Sequence, residues 1–327
     1  MLKPDIISRW FHGKFAAVAM FVIAAAYVVV SGHVSDPLPP QNEQGLGLPA
    51  PSAWPLNSAG TTAISISLNL LIMLMLLLIN KTYNLLRTMT WLPVGLFAIM
   101  QGAMPQQLLT LNSGPLVGLV IIIGLFMMFG TYDNPASNRT IFTAFLLMAL
   151  GSTTQYCFAF FIPLFWVICL QMRVLTPRAF TASMLGIVTV WINMLGFGFI
   201  DFNSLHLPDI RSIFASADGH SALYLLTVTG ITVLMLIASV AANAMKAFAY
   251  NARARAFNGA FLLVSLTTII AMVFDYDNCL AYVPLLNLNA AYQITHYFVN
   301  HRYERQYIAV IGIIGVYLAL YFWRITL

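Results

Sequence analysis

The stretch GPLVGLVIIIGLFMMFGT, residues 114–131, decides the fold class of this chain. It contains no charged side chain, and an α-helix of about 20 apolar residues is long enough to cross the hydrocarbon core of a bilayer. The whole chain agrees, since 60% of its 327 residues are hydrophobic and only 8% are charged, against roughly 25% charged in soluble domains. So few charged side chains exclude an ordinary soluble globular protein.

Ten further apolar segments flank this stretch on both sides. Together they predict an all-α, polytopic transmembrane helix bundle of about 11 spans, in a single integral membrane domain over residues 1–327. The predicted spans are 15–31, 62–79, 89–104, 114–131, 140–152, 155–172, 179–200, 221–245, 257–274, 279–298 and 307–323. The segment 140–152 is short for a span, and it is predicted to share a backbone break at 151–155 with the segment that follows.

The basic residues predict the orientation of the bundle. If the amino terminus is cytoplasmic, all of the 15 Lys and Arg residues except Arg211 and Arg324 fall on the cytoplasmic side, as the positive-inside rule requires. The carboxyl terminus is then periplasmic, and the chain is predicted to be a multi-pass protein of the bacterial inner membrane. An alternative for the first segment is a cleaved signal peptide, because basic residues precede its apolar core.

The same composition argues against several partners. The formal net charge of +5 is spread singly over short loops, without the basic patch and interleaved aromatic residues of a nucleic-acid-binding surface. The cysteines Cys157, Cys169 and Cys279 lie in apolar surroundings, and we interpret them as small buried side chains. No residue spacing matches a metal site, so we predict no cofactor, with a divalent cation bound by carboxylates as the alternative.

Most of the acidic residues map to the predicted outer face: Asp36, Glu43, Asp201, Asp209, Asp218, Asp275 and Asp277. One interpretation is that outer loops lack positive charge and use acids for solubility. The alternative is a functional site in the longest outer loop, 31–61, whose many prolines predict an extended chain. This loop holds His33, Asp36 and Glu43, an imidazole and two carboxylates that are candidates for acid/base or metal-assisted catalysis.

Two other outer loops carry candidate substrate-binding residues. In the loop 201–220, apolar residues alternate with Asp209, Arg211 and Asp218, which predicts a helix lying in the membrane interface. The alternative is a lid over a lipid or glycan groove, with Arg211 as a substrate contact. The short loop after residue 274 carries Asp275 and Asp277, which we interpret as solvated acids or, alternatively, as substrate-binding partners of the first loop.

A polar stripe runs along the tenth predicted span. Asn289, Gln293 and His296 recur at spacings that place them on one helical face. Because hydrocarbon supplies no hydrogen bonds, this face must meet other helices or a wet cavity. We favour hydrogen bonding between helices over a solute pathway. No charged residue lies near the middle of a predicted span, which argues against a proton-driven pump.

Three stretches carry a resemblance to known families. Residues 68–105 (LNLLIMLMLLLINKTYNLLRTMTWLPVGLFAIMQGAMP), 138–173 (NRTIFTAFLLMALGSTTQYCFAFFIPLFWVICLQMR) and 275–300 (DYDNCLAYVPLLNLNAAYQITHYFVN) resemble an uncharacterised family of Bacteroidetes polytopic inner-membrane proteins. Residues 138–173 also resemble, more distantly, the GT-C glycosyltransferase superfamily. That resemblance implies a polyprenyl-phosphate-linked sugar donor and a catalytic carboxylate in the first outer loop, a role that falls on Asp36 or, as the alternative, Glu43.

Two functions from different classes therefore stand as hypotheses. The first is a GT-C-like enzyme that acts on polyprenyl-linked sugars at the outer face of the membrane. The second is a non-catalytic translocation or envelope-assembly subunit, in which the polar stripe packs against the chain's own helices or a partner. The expected partners are membrane lipid and either a lipid-linked sugar or another envelope protein.

Overall fold

The computed structural model describes residues 13–34, 43–86, 88–200, 220–245, 251–300 and 306–326. Within these ranges the chain forms twelve α-helices, three short 3-10 helices and no β-strand. The predicted all-α fold class is therefore confirmed.

The helices are numbered here in chain order. The α-helices are α1 (Lys14–Val34), α2 (Ser58–Tyr83), α3 (Leu92–Gly102), α4 (Gln106–Leu109), α5 (Ser113–Gly130), α6 (Asn138–Thr154), α7 (Phe161–Gln171), α8 (Pro177–Gly196), α9 (His220–Met245), α10 (Ala252–Phe274), α11 (Cys279–Asn300) and α12 (Gln306–Thr326). The 3-10 helices are η1 (Pro51–Ala53), η2 (Tyr156–Phe160) and η3 (Tyr276–Asn278).

Every predicted apolar segment coincides with helical structure, and the lengths of the helices differ widely. Of the described helices, α2, α5, α8, α9 and α10 are long and apolar enough to cross a membrane. The main departure is α3, which has 11 residues and is about 17 Å long at 1.5 Å per residue. It ends before Pro105, and α4 begins directly after this proline. The membrane character is thus shown, while the number of crossings and the orientation stay predictions.

Successive long helices alternate in direction, so the bundle has two distinct ends. At one end, the start of α9 meets the end of α3, where the Tyr224 hydroxyl donates to the carbonyl of Ala103 at 2.7 Å. We call this the carboxylate end, because Glu43 and Asp275 lie there. At the opposite end, α10 begins with Arg253 and Arg255, and we call this the arginine end.

Helix α11 is the centre of the bundle. Every residue from 279 to 296 is buried, and the helix packs against α3, α5, α9 and α10. Its sequence explains this position, because a helix that carries several amides and a histidine is a poor partner for lipid tails but a good one for other helices. In one such contact the Asn287 amide donates to Gln101 Oε1 at 2.9 Å.

A proline inside α11 is compensated by a neighbouring helix. Pro284 has no N–H to donate, so the carbonyl of Leu280, four residues earlier, loses its helical partner. The Gln107 side chain of α4 donates to this carbonyl at 2.6 Å. Gly114 makes room for the contact, since a Cβ there would stand 2.7 Å from the same carbonyl oxygen. The short helix α4 therefore serves to complete the hydrogen bonding of the central helix.

We expect Gly186→Ala to push α6 and α8 apart. A Cβ at Gly186 would stand 2.5 Å from the backbone oxygen of Phe142 in α6, so a helix must move, at a cost of about 1–3 kcal/mol. Thermal unfolding in detergent measures this loss. The matched control is Gly196→Ala at the end of the same helix, where nothing lies within 4 Å of the new Cβ. Equal melting temperatures for the two variants would contradict the close approach of the helices.

Candidate functional site

The carboxylate end is built around a break in the backbone. Helix α6 ends at Thr154, Gln155 is extended, and η2 begins at Tyr156. The break thus lies at the last residue of the predicted range 151–155, because α6 stays helical through Thr154. The loop 43–57 completes the broken hydrogen bonding: Leu46 and Leu48 donate their N–H groups to the carbonyls of Ser152 and Thr153 at 3.2 and 2.9 Å. In return, the Tyr156 N–H donates to the carbonyl of Gln44 at 3.0 Å. The loop therefore forms an ordered cap over the break.

Glu43, a predicted catalytic residue, anchors the cap to α5. Its Oε1 accepts hydrogen bonds from the Ser113 backbone N–H at 2.7 Å and from the Ser113 hydroxyl at 2.8 Å. Ser113 is the first residue of α5, where the helix dipole favours a negative charge. The Glu43 side chain is half-buried. The Glu43 carboxylate thus holds the loop 43–57 against the start of α5.

Asp275 lies in a closed network of donors and is fully buried. The Tyr156 hydroxyl donates to Oδ1 at 2.7 Å, and the Tyr282 hydroxyl donates to Oδ2 at 2.9 Å. The Asn278 amide donates to Oδ1 at 3.1 Å, and the Cys157 thiol lies 3.8 Å from Oδ2. We call these five residues the Asp275 cluster. It joins η2, η3 and α11, and its hydrogen bonds stabilise the carboxylate away from water.

The interpretation of Asp275 as a solvated acid is therefore wrong. The loop after α10 gave no sign of this burial, because the donors are Tyr156 and Tyr282, and Tyr156 is distant in sequence. Asp277 is half-buried in η3. Tyr276 lies between these two acids in sequence, and burial raises its pKa to about 12, so this phenol stays protonated at neutral pH.

The prediction for the cysteines is confirmed, because all three are buried and none forms a disulfide.

Several predicted site residues fall outside what the structure describes. Asp36, Arg211 and the predicted interfacial loop 201–220 lie outside the described residues. His33 belongs to the last turn of α1, and its side chain is also outside them. The cap therefore brings together Glu43 and the neighbourhood of Asp275, while the catalytic roles of His33 and Asp36 and the lid role of Arg211 stay predictions.

The polar stripe of α11 meets two neighbouring helices near the arginine end. The Asn243 amide of α9 donates to Gln293 Oε1 at 2.9 Å, and the Asn258 amide lies 3.0 Å from His296 Nε2. Asn289 donates to the carbonyl of Leu285 in its own helix at 2.9 Å. The preferred interpretation of the stripe, hydrogen bonding between helices, accounts for the contacts of Gln293 and His296, whereas the Asn289 bond stays within α11. The stripe also borders a cavity of about 120 Å³.

The sequence held signals for some of the residues that were missed. Asn243 and Asn258 are isolated amides in otherwise apolar predicted spans, and intramembrane polar residues of this kind call for a partner. For Tyr156 and Tyr282 there was no such signal, because tyrosine is common at membrane interfaces. The sequence pattern alone therefore did not predict the donors of the Asp275 cluster.

Comparison with known proteins adds no relative: neither a protein-family model, nor a curated protein sequence, nor a solved structure matches this chain.

Proposed function

We propose that this protein is a bacterial inner-membrane enzyme that acts on polyprenyl-linked sugars at its carboxylate end. The observation that supports the proposal is the ordered cap, in which the loop after the first helix is held on the helix break by backbone bonds and by Glu43. A prolonged loop that returns to the bundle in this way is more often functional than idle. In the proposal the carboxylate end faces the periplasm.

Within this proposal the three carboxylates have different tasks. Asp36, two positions beyond the last residue of α1, is the base that takes the proton from the acceptor hydroxyl as the sugar leaves its lipid phosphate. Glu43 holds the cap through Ser113, and Asp275 holds η2 through Tyr156. The latter two are thus positioning residues, because their oxygens are engaged within the chain.

We expect an Asp36→Asn strain to accumulate one lipid-linked sugar intermediate. Loss of the base stops transfer without removing a described contact, and general bases contribute about 10²–10⁴-fold to rate. The measurement is a profile of polyprenyl-linked and envelope glycolipids in a deletion strain that carries either the wild-type or the variant gene.

The matched control is Asp133→Asn, an exposed acid at the arginine end with a left-handed backbone that asparagine also tolerates. It should restore the wild-type profile. A wild-type profile in the Asp36→Asn strain, at normal protein level, would contradict the enzymatic role.

The second candidate function is a non-catalytic subunit of an envelope assembly. It is favoured by the hydrogen bonds of Asp275 and Gln293, which are made to other residues of the same chain, as a purely structural role requires. This candidate predicts that Asp36→Asn is neutral and that a partner protein co-purifies with the chain. Purification as a stable, active monomer would count against it.

A further inference from the structure

The arginine end contains a pocket of about 240 Å³ between the end of α7 and the start of α10. Its lining is Tyr132, Gln171, Arg173, Ala252, Arg255 and Ala256. The volume is smaller than the 300–1,000 Å³ of sites that enclose a drug-sized molecule. A single charged head group is therefore the size of ligand that it accommodates.

Two arginines give the pocket its charge. Arg173 and Arg255 are both exposed, and neither forms an ion pair with another described residue. Guanidinium groups bind phosphate through paired N–H donors. The pocket also borders Ala252, the first residue of α10, where the helix dipole adds positive potential. Asp133, next to Tyr132, is the acid nearest in sequence to the lining and is exposed.

Two side chains of the pocket can form hydrogen bonds with a hydroxyl group of a ligand. Gln171 Oε1 is buried and accepts no hydrogen bond from the described residues, so it lacks a donor. The Gln171 amide fills the space that Gly259 leaves by having no side chain, which fixes its position. Tyr132, half-buried at the same pocket, carries a hydroxyl that donates and accepts. An anion that also carries hydroxyl groups satisfies both.

The second cavity, beside the polar stripe, meets this pocket. Arg255 lines both cavities, and Gly259 lines the smaller one and contacts Gln171 of the larger one. The two cavities are therefore neighbours that share Arg255 as a wall, and we call the pair the recess at the first two turns of α10. It lies at the end of a bundle whose apolar helices cross a membrane, which is the level of the lipid head groups.

We infer that this recess binds the head group of an anionic glycerophospholipid, with the phosphate on Arg173 and Arg255 and a head-group hydroxyl on Gln171. Phosphatidylglycerol has this chemistry, since it combines a phosphate diester with free hydroxyls. The inference does not depend on the proposed activity at the carboxylate end.

Native mass spectrometry of the purified full chain tests the site. The titrants are phosphatidylglycerol, phosphatidate, phosphatidylcholine and water-soluble glycerol 3-phosphate. We expect phosphatidylglycerol to bind about tenfold or more tightly than phosphatidylcholine, since a charge-assisted pair is among the strong hydrogen bonds. We also expect the wild type to bind phosphatidylglycerol more tightly than phosphatidate, which has no head-group hydroxyls for Gln171. The double variant Arg173→Gln, Arg255→Gln should remove the preference over phosphatidylcholine, while Gln171→Leu should remove only the preference over phosphatidate.

The control variant is Arg178→Gln, which changes an exposed arginine near the same end that lines neither cavity. It should keep the preference. The unliganded melting temperature shows that each variant folds, which is expected because all three arginines are exposed. Equal binding of phosphatidylglycerol and phosphatidylcholine would overturn the inference. So would an equal loss in Arg178→Gln, which would indicate diffuse charge, or equal binding of glycerol 3-phosphate, which would indicate a soluble ligand.

Discussion

Asp275→Ala is expected to be the most destabilising single substitution in the described bundle. It removes the acceptor of two tyrosine hydroxyls and one amide, all buried. Hydrogen bonds to charged groups contribute about 1.5–3 kcal/mol each, and a neutral donor left buried without an acceptor costs about 1–3 kcal/mol. We expect a loss of about 3–5 kcal/mol, measured by thermal unfolding in detergent.

Two further variants serve as comparisons for Asp275→Ala. Asp277→Ala changes a half-buried acid in the same 3-10 helix and should have a clearly smaller effect. Asp275→Asn keeps one acceptor oxygen but places an N–H₂ group against the opposite donor, so its effect should be intermediate. A melting temperature for Asp275→Ala equal to that of Asp277→Ala would mean that the Asp275 cluster does not hold η2 and α11 together.

Gly45→Ala is expected to detach the cap from the helix break. A Cβ at residue 45 would stand 2.5 Å from the carbonyl oxygen of Thr153 and 2.9 Å from that of Thr154, and it would also collide with the carbonyl of Leu48. These are backbone atoms, which cannot yield without breaking the bonds of Leu46 and Leu48. We expect a loss of about 2–3 kcal/mol, by analogy with other overpacked sites.

Limited proteolysis of residues 43–57 measures the detachment directly. In Gly45→Ala these residues should be cut faster than in the wild type, while the rest of the bundle stays resistant. Gly230→Ala is the control, because nothing lies within 4 Å of a Cβ at this helical position, and alanine favours the helix. Unchanged proteolysis in Gly45→Ala would contradict the contact between the cap and α6.

Hydropathy was enough to predict the helices, because an apolar run in lipid has few alternatives to an α-helix. Residues 114–131 were predicted as a span and form α5 almost to the residue. The break at 151–155 was predicted from the short segment before it. The short α3 was not, because the apolar pattern runs from residue 89 to residue 104 while the helix spans only Leu92–Gly102, shortly before Pro105.

The candidate sites were less accessible to sequence reasoning. Membership of the Asp275 cluster depends on Tyr156, which is 119 residues from Asp275 in sequence. Helical periodicity relates residues that are a few positions apart, so it cannot predict a contact over that distance. The stripe residues Gln293 and His296 were predicted because their spacing is local. In contrast, Arg173 and Arg255 indicated only the orientation of the bundle and not a shared pocket. Their shared pocket depends on how α7 packs against α10.

The buried position of α11 has a consequence for biogenesis. Although α11 has 22 residues, it is neither one of the five helices apolar enough to cross a membrane nor one of the shorter apolar helices. Insertion through the translocon depends on the apolarity of each segment, so α11 is poorly suited to enter the bilayer alone. We therefore expect the earlier helices α3, α5, α9 and α10, which pack around α11, to be assembled before α11 inserts. Synthesis order would then decide whether the centre of the protein enters the membrane at all.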